Sequence, residues 1–357
     1  MVCSPRLIAL WAAFFLALTL SPLDAVILYR TGDANANTTA PDTQFPHDGW
    51  DYEGYWGGFL GTAIAPHFFI SAAHIGQAGG TTFTLQNVNY TVLRGFYDPQ
   101  SDLVIWQLAQ TLSTFASLNS SQAEVGQDTV DIGRGTQRGA SYFLNNQMLG
   151  WLWGNGDGLK RWGQNTFSNA FQYQTNWDLL YATFDQSGLT EECTLSSGDS
   201  GGAAFINDGG TWKLAGINYA VDGDFSENAD GSLPFTGALF DTQGLYTRQG
   251  PQWVLITNHV PTGFYPTRIS TKLAWIASVV ALPVVGHEGN FVTLTYTKFL
   301  DIAVSYSIEQ SSDLSNWTTA STVDETISTN GNTALVKSKV DMTGLTALFL
   351  RVRTTQQ

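Results

Sequence analysis

The chain has 357 residues and a formal net charge of −14, and 13% of its residues are charged. A chain of this length buries a sizeable core, and the low charged content together with 36 glycines favours short strands joined by turns over helices. The acidic balance leaves no basic patch for phosphates, which argues against a nucleic-acid partner.

The first predicted element is an apolar segment, LIALWAAFFLALTL, which runs from Leu7 to Leu20 between Arg6 and the sequence SPLDA. It is too short to span a bilayer as a helix of the final protein, and its flanks are typical of a secretory signal peptide. We expect residues 1–25 to be removed. This predicts a secreted protein, extracellular or periplasmic in a Gram-negative cell, with no membrane contact after processing. A retained N-terminal anchor is the alternative.

The chain contains two cysteines, and the first, Cys3, leaves with the predicted signal peptide. The remaining thiol, Cys193, has no His or Lys beside it in sequence to activate it as a nucleophile. We expect Cys193 to be a small buried apolar residue, and the stability of the protein to come from its core rather than from an intrachain disulfide.

The middle of the chain reads as strands. Residues 26 to about 46 are rich in Asn, Thr, Ala and Asp, which predicts a loosely held N-terminal arm over 26–54 in which VILY could pair as a strand. From Tyr55 to about Ala281, short apolar runs alternate with Gly, Asn and Asp turns, and AAFINDGGTWKLAGI predicts a hairpin that turns at residues 207–210. One segment, 269–281, has helical apolar spacing, with Ser270 or Thr271 as its N-cap.

The hydrophobic pattern of the sequence changes after Pro283 and Gly286, where apolar and polar residues begin to alternate with period two. This pattern predicts a small antiparallel β-sandwich of the immunoglobulin or fibronectin type III kind over residues 286–357. A surface or polymer ligand would suit such a domain, and a spacer role is equally allowed.

Three short motifs carry residues suited to nucleophilic catalysis. His74 ends the apolar run FFISAAH, Asp102 directly precedes the strand LVIWQL, and Ser200 lies in SSGDSGGAAF. Each alone has an ordinary interpretation: a core histidine, a strand-capping acid and a glycine-rich turn. A serine hydroxyl becomes a nucleophile when an imidazole accepts its proton and a carboxylate holds the ring tautomer, so these are the residue types that such chemistry requires.

These strings, in the order His, Asp, Ser, resemble the chymotrypsin or trypsin-like family of serine endopeptidases from about residue 55 to 281. The resemblance implies two packed six-stranded antiparallel β-barrels with a short C-terminal helix, a protease domain over 55–285, and a catalytic cleft between the barrels. It implies His74 as general base and acid, Asp102 as the residue that orients the imidazole, and Ser200 as nucleophile. The backbone N–H groups of Gly198 and Ser200 would form the oxyanion hole.

The resemblance also bears on substrates. It implies protein or peptide substrates and no metal or organic cofactor. Thr194 occupies the position where trypsins carry the acid that binds basic side chains, so a non-basic P1 residue is expected. The opposite pocket wall would include Asn218, Tyr219, Ala220 and Val221, whose bulk favours a small or medium apolar P1 residue.

Asp199 needs a partner, because a carboxylate buried beside the oxyanion loop is costly unless it is paired. In relatives made as zymogens, that partner is an apolar α-amino terminus freed by cleavage. Removal of residues 1–25 would place Val26 and Ile27 at such a terminus. Cleavage elsewhere in residues 30–54 and an internal donor are the alternatives.

Several competing interpretations remain open at this point. Asp98 could replace Asp102 as the orienting acid. Gly198-x-Ser200-x-Gly202 also fits the nucleophile elbow of α/β-hydrolases, with His259 or His287 downstream. A catalytically silent binding protein could keep the protease scaffold. The acidic segment 222–231 spaces oxygen ligands as calcium sites do, but it lacks the glycine and glutamate of an EF-hand and fits a solvated loop better.

Overall fold

The computed structural model describes residues 26–41, 49–344 and 348–357, so the predicted signal peptide, 1–25, lies outside the described residues. The described residues form an all-β protein with one α-helix, α1 (Leu273–Val280), and two 3-10 helices, Trp50–Tyr52 and Ala73–Gly79. None of the helices described is both long and apolar enough to cross a membrane.

The first barrel follows a two-residue strand, β1 (Ile27–Leu28). Its six strands are β2 (Glu53–Trp56), β3 (Phe59–Ala65), β4 (Phe68–Ala72), β5 (Thr82–Leu85), β6 (Val88–Tyr97) and β7 (Leu103–Leu108). They neighbour one another in the order β2-β3-β4-β7-β6-β5 and close back on β2. The rings of Phe69 and Phe83 stack 4.2 Å apart inside the barrel, which explains the aromatic content of these short strands.

The central part of the chain contributes fourteen further strands. The first seven are β8 (Ser117–Leu118), β9 (Asp128–Gly133), β10 (Arg138–Leu144), β11 (Gln147–Trp153), β12 (Arg161–Gln174), β13 (Trp177–Thr183) and β14 (Cys193–Thr194). The next seven are β15 (Ala203–Asp208), β16 (Thr211–Val221), β17 (Phe225–Ser226), β18 (Gly237–Leu239), β19 (Tyr246–Gln249), β20 (Gln252–Leu255) and β21 (Gly263–Arg268).

Six of these strands close the second barrel, in the order β15-β9-β12-β13-β21-β16, because β16 also pairs with β15. The hairpin predicted at residues 207–210 is confirmed: β15 and β16 are joined through Gly209 and Gly210, whose φ angles of 62° and 90° favour glycine. The two six-stranded barrels confirm the predicted fold class. The α/β-hydrolase alternative is wrong, because in the part of the chain that the structure describes the barrel strands pair antiparallel, the two-residue β8 is parallel to β16, and α1 is the only α-helix.

A long insertion between β16 and β21 builds the rim of the second barrel. Strand β18 joins β10 and β11 in one small sheet, and β17, β19 and β20 form another. Such short sheets stabilise a loop of this length, because backbone groups that would otherwise need water pair with each other.

The last seven strands form two further sheets, which we call the C-terminal sandwich. Its strands are β22 (Val284–Glu288), β23 (Phe291–Phe299), β24 (Val304–Ser311), β25 (Thr318–Thr319), β26 (Val323–Asn330), β27 (Thr333–Asp341) and β28 (Phe349–Gln356). One sheet has the order β22-β23-β27-β26 and the other β25-β24-β28. Their inward residues, which include Leu294, Ile308 and Val336, form a core of their own.

Two local expectations differ from the structure. The arm predicted to be loosely held begins with buried residues 26–28, because β1 pairs with β14 through Ile27 and Thr194. Neither predicted residue caps α1: Lys272 is the N-cap and makes no side-chain capping bond. The hydroxyl of Ser270 donates instead to Glu124 at 2.6 Å, so a tertiary partner takes the group that would have capped the helix.

Candidate active site

His74 lies at the start of the 3-10 helix Ala73–Gly79, directly after β4, and faces Asp102 at the start of β7. The backbone N–H of His74 donates to Oδ1 of Asp102 at 2.8 Å, and Nδ1 of the ring lies 2.6 Å from Oδ2. Because β4 pairs with β7, the two residues meet at the same end of adjacent strands. A ring that donates from Nδ1 to a carboxylate keeps Nε2 free to accept a proton.

Ser200 lies in the loop between β14 and β15, on the second barrel, and reaches across to His74. Its Oγ is 2.8 Å from Nε2 of His74, so the structure brings the three predicted triad residues into one hydrogen-bonded chain. The loop needs glycine at residue 201, where φ is 77° and a Cβ would lie 2.2 Å from Oγ of Ser71. The two barrels therefore approach closely at the serine loop.

The predicted oxyanion donors lie in the same loop. Gly198 has a φ of 97°, which turns its peptide in a way that an L side chain rarely permits. Within residues 26–41, 49–344 and 348–357, no protein group accepts a hydrogen bond from the N–H of Gly198 or Ser200. Both donors are therefore available to a developing oxyanion beside Ser200.

Asp199 is buried and accepts hydrogen bonds from several backbone groups. Its carboxylate receives the N–H of Ser196 at 2.7 Å, of Gly135 at 2.6 Å and of Val26 at 3.1 Å, as well as the Ser196 hydroxyl at 3.1 Å. Burial raises the pKa of Asp199 to about 7, and these hydrogen bonds offset only part of that effect. Of the partners considered for Asp199 from the sequence, the nitrogen of Val26 thus lies within hydrogen-bond distance of its carboxylate.

The raised pKa of Asp199 predicts a pH-dependent stability for the chain in which Val26 is still peptide-bonded. The folded carboxyl holds its proton up to about pH 7, whereas the unfolded one releases it near its ordinary value of 3.8. The contribution to stability is therefore complete below about pH 4 and is lost as the pH rises to about 7. We expect Asp199→Asn, which resembles the protonated acid, to gain in Tm relative to the wild type across this window. A Tm difference that stays constant from pH 4 to 7 would contradict this expectation.

A cavity of about 430 Å³ opens beside Ser200. All four residues predicted for its wall line it: Asn218, Tyr219, Ala220 and Val221. Thr194 does not, and this part of the prediction needs correction: Thr194 is buried in β14 opposite Ile27 of β1, and Leu195 lines the cavity in its place. Thr194 is therefore buried where β14 pairs with the N-terminal arm and is not part of the cavity lining.

Outside the serine loop, four further residues line the cavity and were missed in the sequence: Trp153, Gly223, Asp224 and Thr236. Trp153 ends β11, and the other three belong to the insertion after β16. Nothing local marks Trp153 or Thr236 as a pocket residue, because their position depends on how the inserted sheet folds back. Asp224 belongs to the acidic segment, whose position directly after the pocket-wall strand was the available signal.

The acidic segment is divided among several structural roles. Asp222 accepts hydrogen bonds from the hydroxyls of Tyr181 and Tyr265 and from the N–H of Gly263. Asp230 accepts the N–H of Ser232. Among the described residues, no group of three or more His, Cys, Asp or Glu side chains is arranged to hold a metal ion. The calcium interpretation therefore has no ligand cluster in this segment.

Aromatic side chains flank the imidazole on the second barrel. The ring centroid of Tyr219 is 6.0 Å from that of His74 and 4.8 Å from that of Trp177, in edge-on arrangements. Tyr173 packs against Trp177 at 5.1 Å. Tyr219 thus gives the His74 ring an aromatic neighbour in addition to Asp102, and sequence periodicity offered no sign of these contacts.

Two other predicted residues are placed away from the reacting groups. Cys193 is buried, as expected, and burial together with nearby carboxylates raises the pKa of its thiol well above the ordinary value. Asp98, the alternative orienting acid, forms an ion pair with Lys272 at 2.8 Å, while Asp102 contacts His74.

Comparison with known proteins adds structural neighbours. The chain is similar to Rv3671c from M. tuberculosis H37Rv, in the inactive form of a serine-to-alanine mutant, with a TM-score of 0.37 and 15% identity over 69% of this chain and 98% of that one. The inactive form of the Rv3671c protease matches with a TM-score of 0.32 and 18% identity over 52% and 87% of the two chains. The active form of the M. tuberculosis protease matches at 0.31 and 16%, over 50% and 67%. No protein-family model and no curated protein matches the sequence.

Proposed function

We propose that the chain is a secreted serine endopeptidase that hydrolyses peptide bonds through an acyl-enzyme on Ser200. The observation that carries the proposal is the continuous hydrogen-bonded chain from Asp102 to His74 to Ser200, with 2.6 Å and 2.8 Å between the partner atoms. This is the arrangement that proton transfer from a serine hydroxyl to an imidazole requires.

In the proposed reaction, Oγ of Ser200 attacks the carbonyl carbon of the scissile bond while its proton passes to Nε2 of His74. The carbonyl electron pair moves to oxygen, where the N–H groups of Gly198 and Ser200 stabilise the negative charge. Collapse of the intermediate breaks the C–N bond, and His74 gives its proton to the leaving amine. Water, deprotonated by His74, then attacks the ester carbonyl carbon, the C–O bond to Ser200 breaks, and His74 gives the proton to the departing Oγ of Ser200. Asp102 stabilises the imidazolium in both steps.

A fluorophosphonate probe tests the proposal against the silent binding protein. The probe forms a covalent bond with a serine oxygen only when a base removes the serine proton and donors stabilise the new oxyanion. Labelling of the wild-type chain supports the endopeptidase. A wild-type chain that keeps its fold and stays unlabelled supports a binding protein with surface loops or the C-terminal sandwich as its working surface.

The pocket supports a non-basic, apolar P1 residue. Leu195, Ala220, Val221 and Trp153 supply its apolar lining. Asp224 also lines the pocket but is exposed to solvent. An exposed ion pair between Asp224 and a basic P1 side chain would contribute only about 0–1 kcal/mol to binding. Burying an apolar side chain contributes about 1.5–3 kcal/mol. The apolar term is larger, so we propose that apolar burial, rather than pairing with Asp224, selects the P1 residue.

A digest of a peptide library checks this preference. We expect cleavage mainly after apolar residues, and the cavity of about 430 Å³ admits side chains larger than the small or medium ones that the sequence favoured. Asp224→Asn is the matched variant, and its cleavage pattern should equal that of the wild type. Dominant cleavage after Lys or Arg in the wild type, lost in Asp224→Asn, would overturn the proposal.

Export and processing belong to the same proposal. We propose that removal of residues 1–25 accompanies secretion, leaves no membrane attachment and exposes Val26 as the new terminus. The position of the Val26 nitrogen, 3.1 Å from Oδ1 of Asp199, supports cleavage at this bond over cleavage within residues 30–54. N-terminal sequencing of the exported form checks the site.

A further inference from the structure

Lys272 is a buried cation outside the triad. It directly precedes α1, and its side chain is 5% exposed. Its Nζ lies 2.8 Å from Oδ2 of Asp98, which is itself 4% exposed, and also donates to the backbone carbonyl of Asn176. Removing two such charges from water is costly. We therefore ask which segments of the protein the Lys272–Asp98 pair connects.

The first segment that Lys272 holds is the loop that ends at Asp102. The carboxylate of Asp98 also accepts the hydroxyl of Ser101, and the N–H of Asp98 donates to the carbonyl of Leu103 at 2.9 Å. Asp98 therefore organises a tight turn around Asp102, and Lys272 neutralises the charge on which that turn is built. A shift of this turn moves the carboxylate that orients His74.

The second segment is the β12–β13 hairpin. Asn176 lies in its turn, with a φ of 59°, and the next residue, Trp177, packs against Tyr219. Tyr219 in turn contacts the edge of the His74 ring. A single ammonium group thus contacts the segments that carry two neighbours of the imidazole: Asp98 leads to Asp102, and Asn176 leads through Trp177 to Tyr219. A lysine suits this role, since it is a compact charge with three donors.

The third segment is the C-terminal sandwich. Strand β28 donates from the hydroxyl of Thr354 to the carbonyl of Ala274 at 2.8 Å, and from Nε2 of Gln356 to the carbonyl of Ser270 at 2.7 Å. These two carbonyls lie on either side of Lys272 in sequence. In addition, Phe299 of β23 belongs to the same buried cluster as Leu273 of α1. The sandwich therefore holds the backbone from which Lys272 extends.

We propose that Lys272 is a positioning residue for the triad, and that the C-terminal sandwich supports the active site by holding the Lys272 segment in place. This inference rests on the proposed serine endopeptidase function. It assigns the sandwich a role inside the molecule, in place of the surface-binding or spacer roles considered from the sequence.

Lys272→Met tests the positioning role, with kcat and KM measured on a peptide substrate well below the unfolding temperature. We expect kcat to fall by about 100-fold, because a displacement of about 1 Å in a catalytic group has this effect, while KM changes much less. Lys272→Arg should recover at least part of the loss, since it keeps the charge. The control is Lys213→Met, which removes a different ion pair, 2.7 Å long, with Asp208 on the β15–β16 hairpin and should leave kcat unchanged.

The double variant Asp98→Asn/Lys272→Met keeps the test decisive if Lys272→Met alone does not fold, because it leaves no unpaired buried charge. A folded double variant with wild-type kcat overturns the inference, as does wild-type kcat in Lys272→Met. Fluorophosphonate labelling distinguishes failure of the positioning role from failure of the proposed function. An unlabelled wild type refutes the endopeptidase. Equal labelling rates in the wild type and Lys272→Met refute only the positioning role.

The supporting role of the C-terminal sandwich is tested with a variant of β28 and a matched control variant. Thr354→Val removes the bond to Ala274, whereas Thr355→Val changes the exposed neighbouring residue on the same strand. We expect kcat to fall by about threefold in Thr354→Val combined with Gln356→Leu, in the range of coupling effects between packed elements, and to stay unchanged in Thr355→Val. Equal kcat in both variants would overturn the supporting role of the sandwich.

Discussion

Replacing Ser200 with alanine is expected to lower kcat by about 10⁴-fold or more and to abolish fluorophosphonate labelling, with the fold intact. The hydroxyl is the only part of the triad that forms the covalent bond, and its Oγ lies 2.8 Å from the imidazole nitrogen that would take its proton. Alanine removes the nucleophile but leaves the loop backbone, so the Gly198 and Ser200-position N–H groups keep their places. Residual hydrolysis above the uncatalysed rate would come from those donors alone.

Ser197→Ala is the matched control for this experiment. Ser197 lies three residues earlier, lines the same cavity and is exposed, but makes no contact in the triad. We expect its labelling and turnover to stay near wild-type values. Undiminished labelling of Ser200→Ala would place the reactive serine elsewhere and remove the basis of the proposed mechanism. Circular dichroism and thermal unfolding of both variants show whether the fold is retained.

A single extra residue in front of Val26 is expected to lower activity by about 10³-fold, because it leaves a buried carboxylate without its cation. In the uncleaved chain the Val26 nitrogen is a neutral amide that donates to Asp199 at 3.1 Å. Cleavage turns it into an ammonium group in the same place. Asp199 lies between Gly198 and Ser200, so the pairing fixes the loop that carries both the nucleophile and the oxyanion donors.

The backbone at Val26 supports the same conclusion. Val26 is 2% exposed and has a φ of 22°, an unusual conformation for a β-branched residue. A free amino terminus has no φ to constrain, so we expect that cleavage before Val26 would relieve this strain while keeping the residue buried.

Two recombinant forms make the comparison, one with Val26 as its first residue and one that retains Ala25 before it. Activity is measured on the same peptide substrate, and active-site titration counts the competent fraction. Asp199→Asn in the first form should lower activity to a similar extent, because the amide cannot pair with the ammonium group. Equal activity of the two forms would contradict the pairing and point to an internal donor for Asp199.

Much of the candidate site could be predicted because its members stand in short, distinctive strings. His74, Asp102 and Ser200 each follow or precede an apolar strand, and the strand ends bring them together once the barrels close. The glycines around Ser200 indicated a tight loop, and two-residue periodicity indicated the C-terminal sandwich. These features depend on neighbours along the chain, so they are visible without a fold.

The pocket could be predicted only in part. Residues 218–221 lie on one strand next to the serine loop, and their place follows from that strand. Thr194 was misplaced because its strand pairs with β1, from the far N-terminal end of the described chain, and Thr194 is buried in that pairing rather than in the cavity wall. Trp153 and Thr236 reach the cavity through pairing of β11 with β18, a contact between distant segments that no local pattern encodes.

The sequence by itself determined the all-β class, the hairpin at residues 207–210, the residue types for nucleophilic catalysis and the change of texture into the sandwich. The alternation of apolar and polar residues and the turn-forming residues are local features of the sequence, so they indicate strands and turns without knowledge of where each strand packs. Only the tertiary structure decided that Val26 reaches Asp199, that Lys272 joins Asp98 to Asn176, and which side chains enclose the cavity. Those contacts join residues far apart in the chain, and they form when barrel closure and sandwich docking bury them together.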